Sequence, residues 1–164
     1  MTTVITKRTV ILTLVMLTAV VAGLGAADRD DFDAVVDMEI SLTALAQTVA
    51  EDPSFRTDDI LLLTGAVGSI IIIDSAPDTF FAQIELVAGA WMSLDALQAY
   101  RGYFVVEGPE FASRLPSRPP RNPGPEIIQT NQNVLVVASL LDVVADTDGT
   151  PVPVLRAHYV VRID

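Results

Sequence analysis

Residues 60–74 read ILLLTGAVGSIIIID, and how this run is read decides the fold. Fifteen residues broken by Gly65 and Gly68 fall short of the roughly 17–25 that a membrane-spanning helix needs. The four consecutive isoleucines are β-branched and stiff at χ1, which favours an extended chain. The turn residues of DSAPD (74–78) close the run. The stretch is therefore predicted as one long buried strand. Its two glycines mark a bulge or a sharp bend, where a strand turns a corner of a barrel.

Working outward, the same texture continues. In TFFAQIELVAGAW (79–91), Phe80, Ala82, Ile84, Leu86 and Ala88 fall on one face, and Gln83 and Glu85 on the other. That period of two predicts a second strand. SLDALQA (93–99) is predicted as one or two helical turns capped by Ser93, and YRGYFVVEG (100–108) as a third strand. NVLVVASLLDVVAD (133–146) and VPVLRAHYVVRI (152–163) flank Asp148–Gly149, the pair that a tight hairpin turn requires. In the last strand, alternation puts Leu155, Ala157, Tyr159, Val161 and Ile163 inside and Arg156, His158 and Arg162 outside.

Between the third and fourth strands lies RLPSRPPRNPGPE (114–126), with five prolines and three arginines. As an interdomain linker it would strand a lone hairpin on one side, and lone hairpins are marginal in water. It is instead a long stiff loop of one domain, spanning 113–126, whose prolines bar a regular helix. Upstream, residues 30–51 are predicted as an amphipathic helix with Val35, Met38, Leu42, Leu45 and Val49 in one stripe. Asp30, Asp31 and Asp33 stand at its start, where carboxylates oppose the dipole. The stripe is expected to pack on the domain's own core rather than form a coiled coil, for which two heptads are too few.

Lys7 and Arg8, the uncharged run 9–27 and the small residues Gly25 and Ala27 make an export segment, either a signal peptide cleaved after Ala27 or an uncleaved anchor. The expected organisation is thus 1–27 signal or anchor, 28–53 amphipathic helix and 54–164 β domain. The product is expected to be exported, periplasmic or extracytoplasmic, touching membrane only through 9–27 if these stay attached.

Five strands, a glycine-bent first strand with LTGAVGSI (63–70) and a long connection after the third resemble exported bacterial single-domain OB-fold proteins. The resemblance is one of pattern. It implies a mainly β, small five-stranded OB-like barrel or sandwich behind the helix, with ligands on the second and third strands and their loops. It carries no catalytic residue.

Chemistry is constrained by what is missing. The chain has no cysteine, and beyond residue 27 no lysine. His158 is the single histidine, so a Ser–His–Asp triad or a zinc site lacks parts. No enzyme activity, metal or cofactor is expected. Beyond residue 27, eight arginines face 21 acidic residues, a formal charge of −13. Such a surface repels polyanions, so no nucleic-acid partner is expected. The candidate ligand-binding residues are Arg101, Tyr103, Arg114, Arg118, Arg121, Arg156 and His158: arginines and aromatics suited to stacking and to carboxylates. For the three loop arginines the alternative is pairing with the chain's own carboxylates. The expected function is a non-catalytic envelope module binding a protein or glycan. The alternative is a membrane-tethered assembly accessory that uses the helix.

Overall fold

The computed structural model describes residues 36–37, 39–93, 96–118 and 120–163, all within the unit Val35–Asp164. The signal or anchor reading of 1–27, the capping aspartates and the stripe positions Val35 and Met38 lie outside the described residues. Strand β1 (Val36–Asp37) is followed by helix α1 (Leu42–Glu51), β2 (Ile60–Asp74), a 3-10 turn at Pro77–Thr79, and β3 (Phe81–Trp91). Then come β4 (Leu97–Glu107), a single helical turn α2 (Pro109–Ala112), β5 (Asn133–Ala145) and β6 (Pro151–Arg162). Among the described residues no helix is long and apolar enough to cross a membrane.

The sheet runs β2-β3-β4-β6-β5 and closes by β5 pairing back onto β2. Every contact is antiparallel except β4 with β6, which is parallel, and the short β1, which lies parallel to the start of β2. This closed five-stranded order, with the fifth strand between the third and the fourth, is an OB-type barrel, and closure removes the sandwich alternative. β2 can serve two neighbours because it bends. Its first half pairs with β5 and its second half with β3, and the change comes at Ala66. Just beyond, Gly68 is an extra residue between the Val67–Leu86 and Ser69–Glu85 pairs, the bulge its glycine allows.

Both barrel ends are closed by apolar side chains. At one end α1 inserts Leu42, Leu45 and Val49, each no more than 1% exposed. Leu42 reaches inward because Gly65 and Gly102 leave room: a Cβ on Gly102 would sit 3.0 Å from the Leu42 Cδ1 atom. At the other end the proline-rich connection contributes Phe111, Leu115, Ile127 and Ile128, all buried. Its backbone is tied across by the Ile128 amide donating to the Arg114 carbonyl (2.9 Å). The loop is thus a plug as well as a connection.

Three sequence expectations are corrected. The helix begins at Leu42 rather than near residue 30. Ser41 caps it by accepting from the Ala44 amide (3.1 Å), and Val36–Asp37 is already extended beside Ile60–Leu61. Residues 97–99 are strand, not helix: Leu97, Gln98 and Ala99 pair with Trp91, Ala90 and Gly89, and cross-strand pairing overrides their helical propensity. In β6 the alternation breaks. Tyr159 pairs with Val137 while Ala157 pairs with the next residue, Ala138, so His158 is an added residue on the strand. A one-residue insertion swaps the faces that follow. Tyr159 is therefore 51% exposed and Val160 is fully buried.

Candidate functional site

The swap at His158 assembles the site. On β4 the inward positions are Gly102, Phe104 and Val106, so Arg101, Tyr103 and Val105 point outward. The parallel register sets Tyr103 against Val154 and Val105 against Arg156. Along β6, Val154, Arg156 and His158 continue on the same outer surface, and the bulge adds Tyr159. The loop then lays Arg114 on it, with the guanidinium carbon 5.6 Å from the Tyr159 ring centroid. The result is one stripe: Arg101, Tyr103, Arg156, His158, Tyr159, Arg114.

Each member has a defined partner. Arg101 Nη1 donates to Asp146 Oδ2 (2.8 Å) and the Tyr103 hydroxyl to Asp146 Oδ1 (3.2 Å). The Asp146 side chain is only 9% exposed and also accepts from the Thr147 amide (2.7 Å). Burial, and next the Asp146 charge, pushes the Tyr103 hydroxyl above its ordinary pKa. Arg156 Nε lies 3.3 Å from Glu107 Oε1, an exposed pair of little energetic worth. His158 Nε2 and Ser139 Oγ are 2.9 Å apart on the exposed surface. Arg114 Nε donates to the Glu126 carbonyl (3.4 Å). Among the described residues, Arg114, Arg118 and Arg121 make no carboxylate pair, and the last two are exposed.

Of the sequence candidates, Arg101, Tyr103, Arg114, Arg156 and His158 come together on the stripe. Arg118 and Arg121 stand apart on the loop. Sequence reasoning missed Tyr159, which strict alternation had turned inward, and the carboxylates Asp146, Asp148 and Glu107. The signal for Tyr159 was the Val160–Val161 pair after it, since two adjacent apolar residues break a period of two. A separate depression of about 410 Å³ lies over Gly65 and Gly89, with Asn133 and Ile163 at its side, but carries no charged side chain.

No family model matches the chain, and no curated protein matches it. Solved structures of similar fold are found. One is a single-stranded-DNA-binding protein from Thermus aquaticus, at 10% identity and a TM-score of 0.42, covering 63% of this chain and 48% of that one. The chain thus spans about half the length of that protein. Another is the Plasmodium falciparum SSB complex with ssDNA, at 15% identity and a TM-score of 0.44, covering 68% of this chain and 99% of that one. A third is a small single-stranded-DNA-binding protein from Streptomyces coelicolor, at 15% identity and a TM-score of 0.37, covering 63% and 93%. Likeness at this level concerns the barrel alone.

The expected protein- or glycan-binding envelope module, its tethered alternative and the exclusion of nucleic acid gain no support from these structures, which are single-stranded-DNA-binding proteins, and are not carried further. Net charge alone does not decide the partner. A formal charge of −13 describes the whole surface, whereas at physiological salt charges are screened beyond about 8 Å, so a local stripe sets its own potential.

Proposed function

We propose that the barrel binds single-stranded nucleic acid, without catalysis, along the outward face of β4 and β6. The observation that carries this reading is the contiguous stripe of arginines around one exposed ring, Tyr159, and one half-buried ring, Tyr103. Arg156 and Arg114 offer donors to phosphates, and Tyr159 offers a ring face on which bases of any sequence can stack. From Val152 to Tyr159, β6 runs about 23 Å at ~3.3 Å per residue. That length suits the short end of the ~4–16 nucleotides an OB barrel covers. The Arg114–Tyr159 stack holds both side chains in place before a ligand arrives, which lowers the ordering cost of binding. Residues 1–27 support the further proposal that the protein is exported, so that the strand it meets lies outside the cytoplasm.

The test is fluorescence anisotropy of a labelled oligothymidylate titrated with the protein. Binding should weaken with salt with a log–log slope of about −2, the value for ~3 phosphate contacts on a single strand. Tyr159→Ala should lower affinity about fivefold or more, the loss of one stacked base. Because Tyr159 is exposed, its removal should leave the melting temperature unchanged. No binding at low salt, or full binding by Tyr159→Ala, would end this reading. Export is tested separately: the mature protein secreted by a bacterial host should begin at Asp28.

A further inference from the structure

At the end of the stripe nearest α1 lies a groove of about 210 Å³, lined by Ala46 and Ala50 of α1 and by Ala99 of β4 among others. Its wall includes Tyr100, whose hydroxyl accepts from Gln47 Nε2 (2.7 Å), so α1 fixes that wall. Two opposite charges share the rim: Arg101 and Asp148. The volume lies below the ~300–1,000 Å³ of pockets for drug-sized ligands, and fits one ring system. The short alanine side chains in the lining leave apolar surface that a planar group can cover.

Resting on the nucleic-acid reading above, the geometry points to this groove as a seat for a single unstacked base, with guanine preferred. A carboxylate accepts through two oxygens and donates nothing, and a guanidinium only donates. The Watson–Crick edge of guanine carries two adjacent donors, N1–H and the 2-amino group, beside one acceptor, O6. Asp148 matches the donors and Arg101 the acceptor. Adenine and cytosine each bring one donor group to the carboxylate, and thymine brings its N3–H between two carbonyls that would face it. Arg101 already gives Nη1 to Asp146, so its remaining donors suit a base asking for one acceptor contact rather than cytosine, which asks for two. Asp148 is held for the task by the Thr150 amide (2.9 Å). That bond first, and the nearby Arg101 charge after it, keeps its carboxyl below the usual range and therefore ionised.

The inference is tested with mononucleotides, so that it does not depend on a bound strand. Guanosine, adenosine, cytidine and uridine monophosphates are titrated into isotope-labelled protein, and amide shifts of Ala46, Ala50 and Thr150 are followed. The guanine nucleotide should bind about fivefold or more tightly than the others, the worth of one bidentate base contact. Asp148→Asn should abolish that difference while leaving oligothymidylate affinity and the melting temperature unchanged. Equal shifts for all four nucleotides, none at these amides, or a preference for guanine surviving in Asp148→Asn would overturn the inference. Loss of oligothymidylate binding alone would instead overturn the stripe and leave the groove measured on its own.

Discussion

Leu42 and Gly102 form a lock whose two halves should be energetically coupled. Leu42 is 1% exposed inside the barrel end. Leu42→Ala leaves a cavity there and should cost about 2–5 kcal/mol. Gly102→Ala adds a methyl 3.0 Å from Leu42 Cδ1 and 3.3 Å from Phe104 Cε2, closer than ordinary contact. Overpacking of this kind costs about 1–3 kcal/mol. If the two changes were independent, the double variant would lose the two costs together, about 3–8 kcal/mol. They are not independent. Truncating Leu42 removes the atom that the methyl added at Gly102 strikes first, and that methyl fills part of the space left behind. The double variant should therefore be more stable than additivity predicts by about 1 kcal/mol or more, within the ~0.5–3 kcal/mol seen for touching residues. Urea unfolding followed by far-ultraviolet circular dichroism measures all four proteins. Fluorescence is a poor substitute, because the single tryptophan, Trp91, is 72% exposed. Costs that add to within ~0.5 kcal/mol would refute the plug, since α1 could not then be seated against Gly102 as described.

Other outcomes follow from the same structure. Ser41→Ala removes the side-chain cap of α1 and should cost about 1 kcal/mol in urea, with Ser41→Gly milder. Asp52, held low first by the Ser54 hydroxyl, and Asp74, held low first by the Ala76 amide, have folded values below the ordinary 3.8. Their contribution is complete above that ordinary value and is lost as pH falls from it through their lower folded values, so the melting temperature should drop below about pH 4. A flat or rising profile there would contradict this. Tyr103 has a raised folded pKa, so its contribution holds below the ordinary tyrosine value and is lost as pH climbs through the folded one. Asp146→Asn removes one cause of that rise, and near-ultraviolet absorbance should show Tyr103 ionising at lower pH than in the parent.

How far the sequence could be read depends on which force dominated each element. β3 was legible as far as Leu86, because Ala82, Ile84 and Leu86 are buried at a period of two, while Ala88 beyond them is only half-buried. The bend in β2 was legible from Gly65 and Gly68, since glycine in a buried strand is favoured only at a bulge or a close approach. The Asp148–Gly149 turn was legible for the same local reason, and Gly149 does sit at φ 83°. Less visible was anything fixed by a partner far along the chain. Leu97 to Ala99 became strand through pairing with Gly89 to Trp91, not through their own preference. The bulge at His158 depends on the register of β5, which no pattern within β6 specifies outright. That single residue decided whether Tyr159 was core or site, and with it whether the arginines had an aromatic neighbour. The carboxylates that hold Arg101 and Arg156 could not be chosen from among 21 acidic residues by composition.

The two plugs also dictate when the chain can fold. α1 precedes every barrel strand, yet it packs mainly on β4 and β6. Barrel closure pairs Ile60 with Ser139, far apart along the chain. A polypeptide emerging from its N-terminus therefore carries the apolar side of α1 and an unclosed β2 until β5 and β6 have been made. Non-local pairing of this kind is slow, because loop closure must come before the contacts that reward it. Until synthesis is nearly complete the barrel cannot close, and the apolar strands already made stay exposed in that interval.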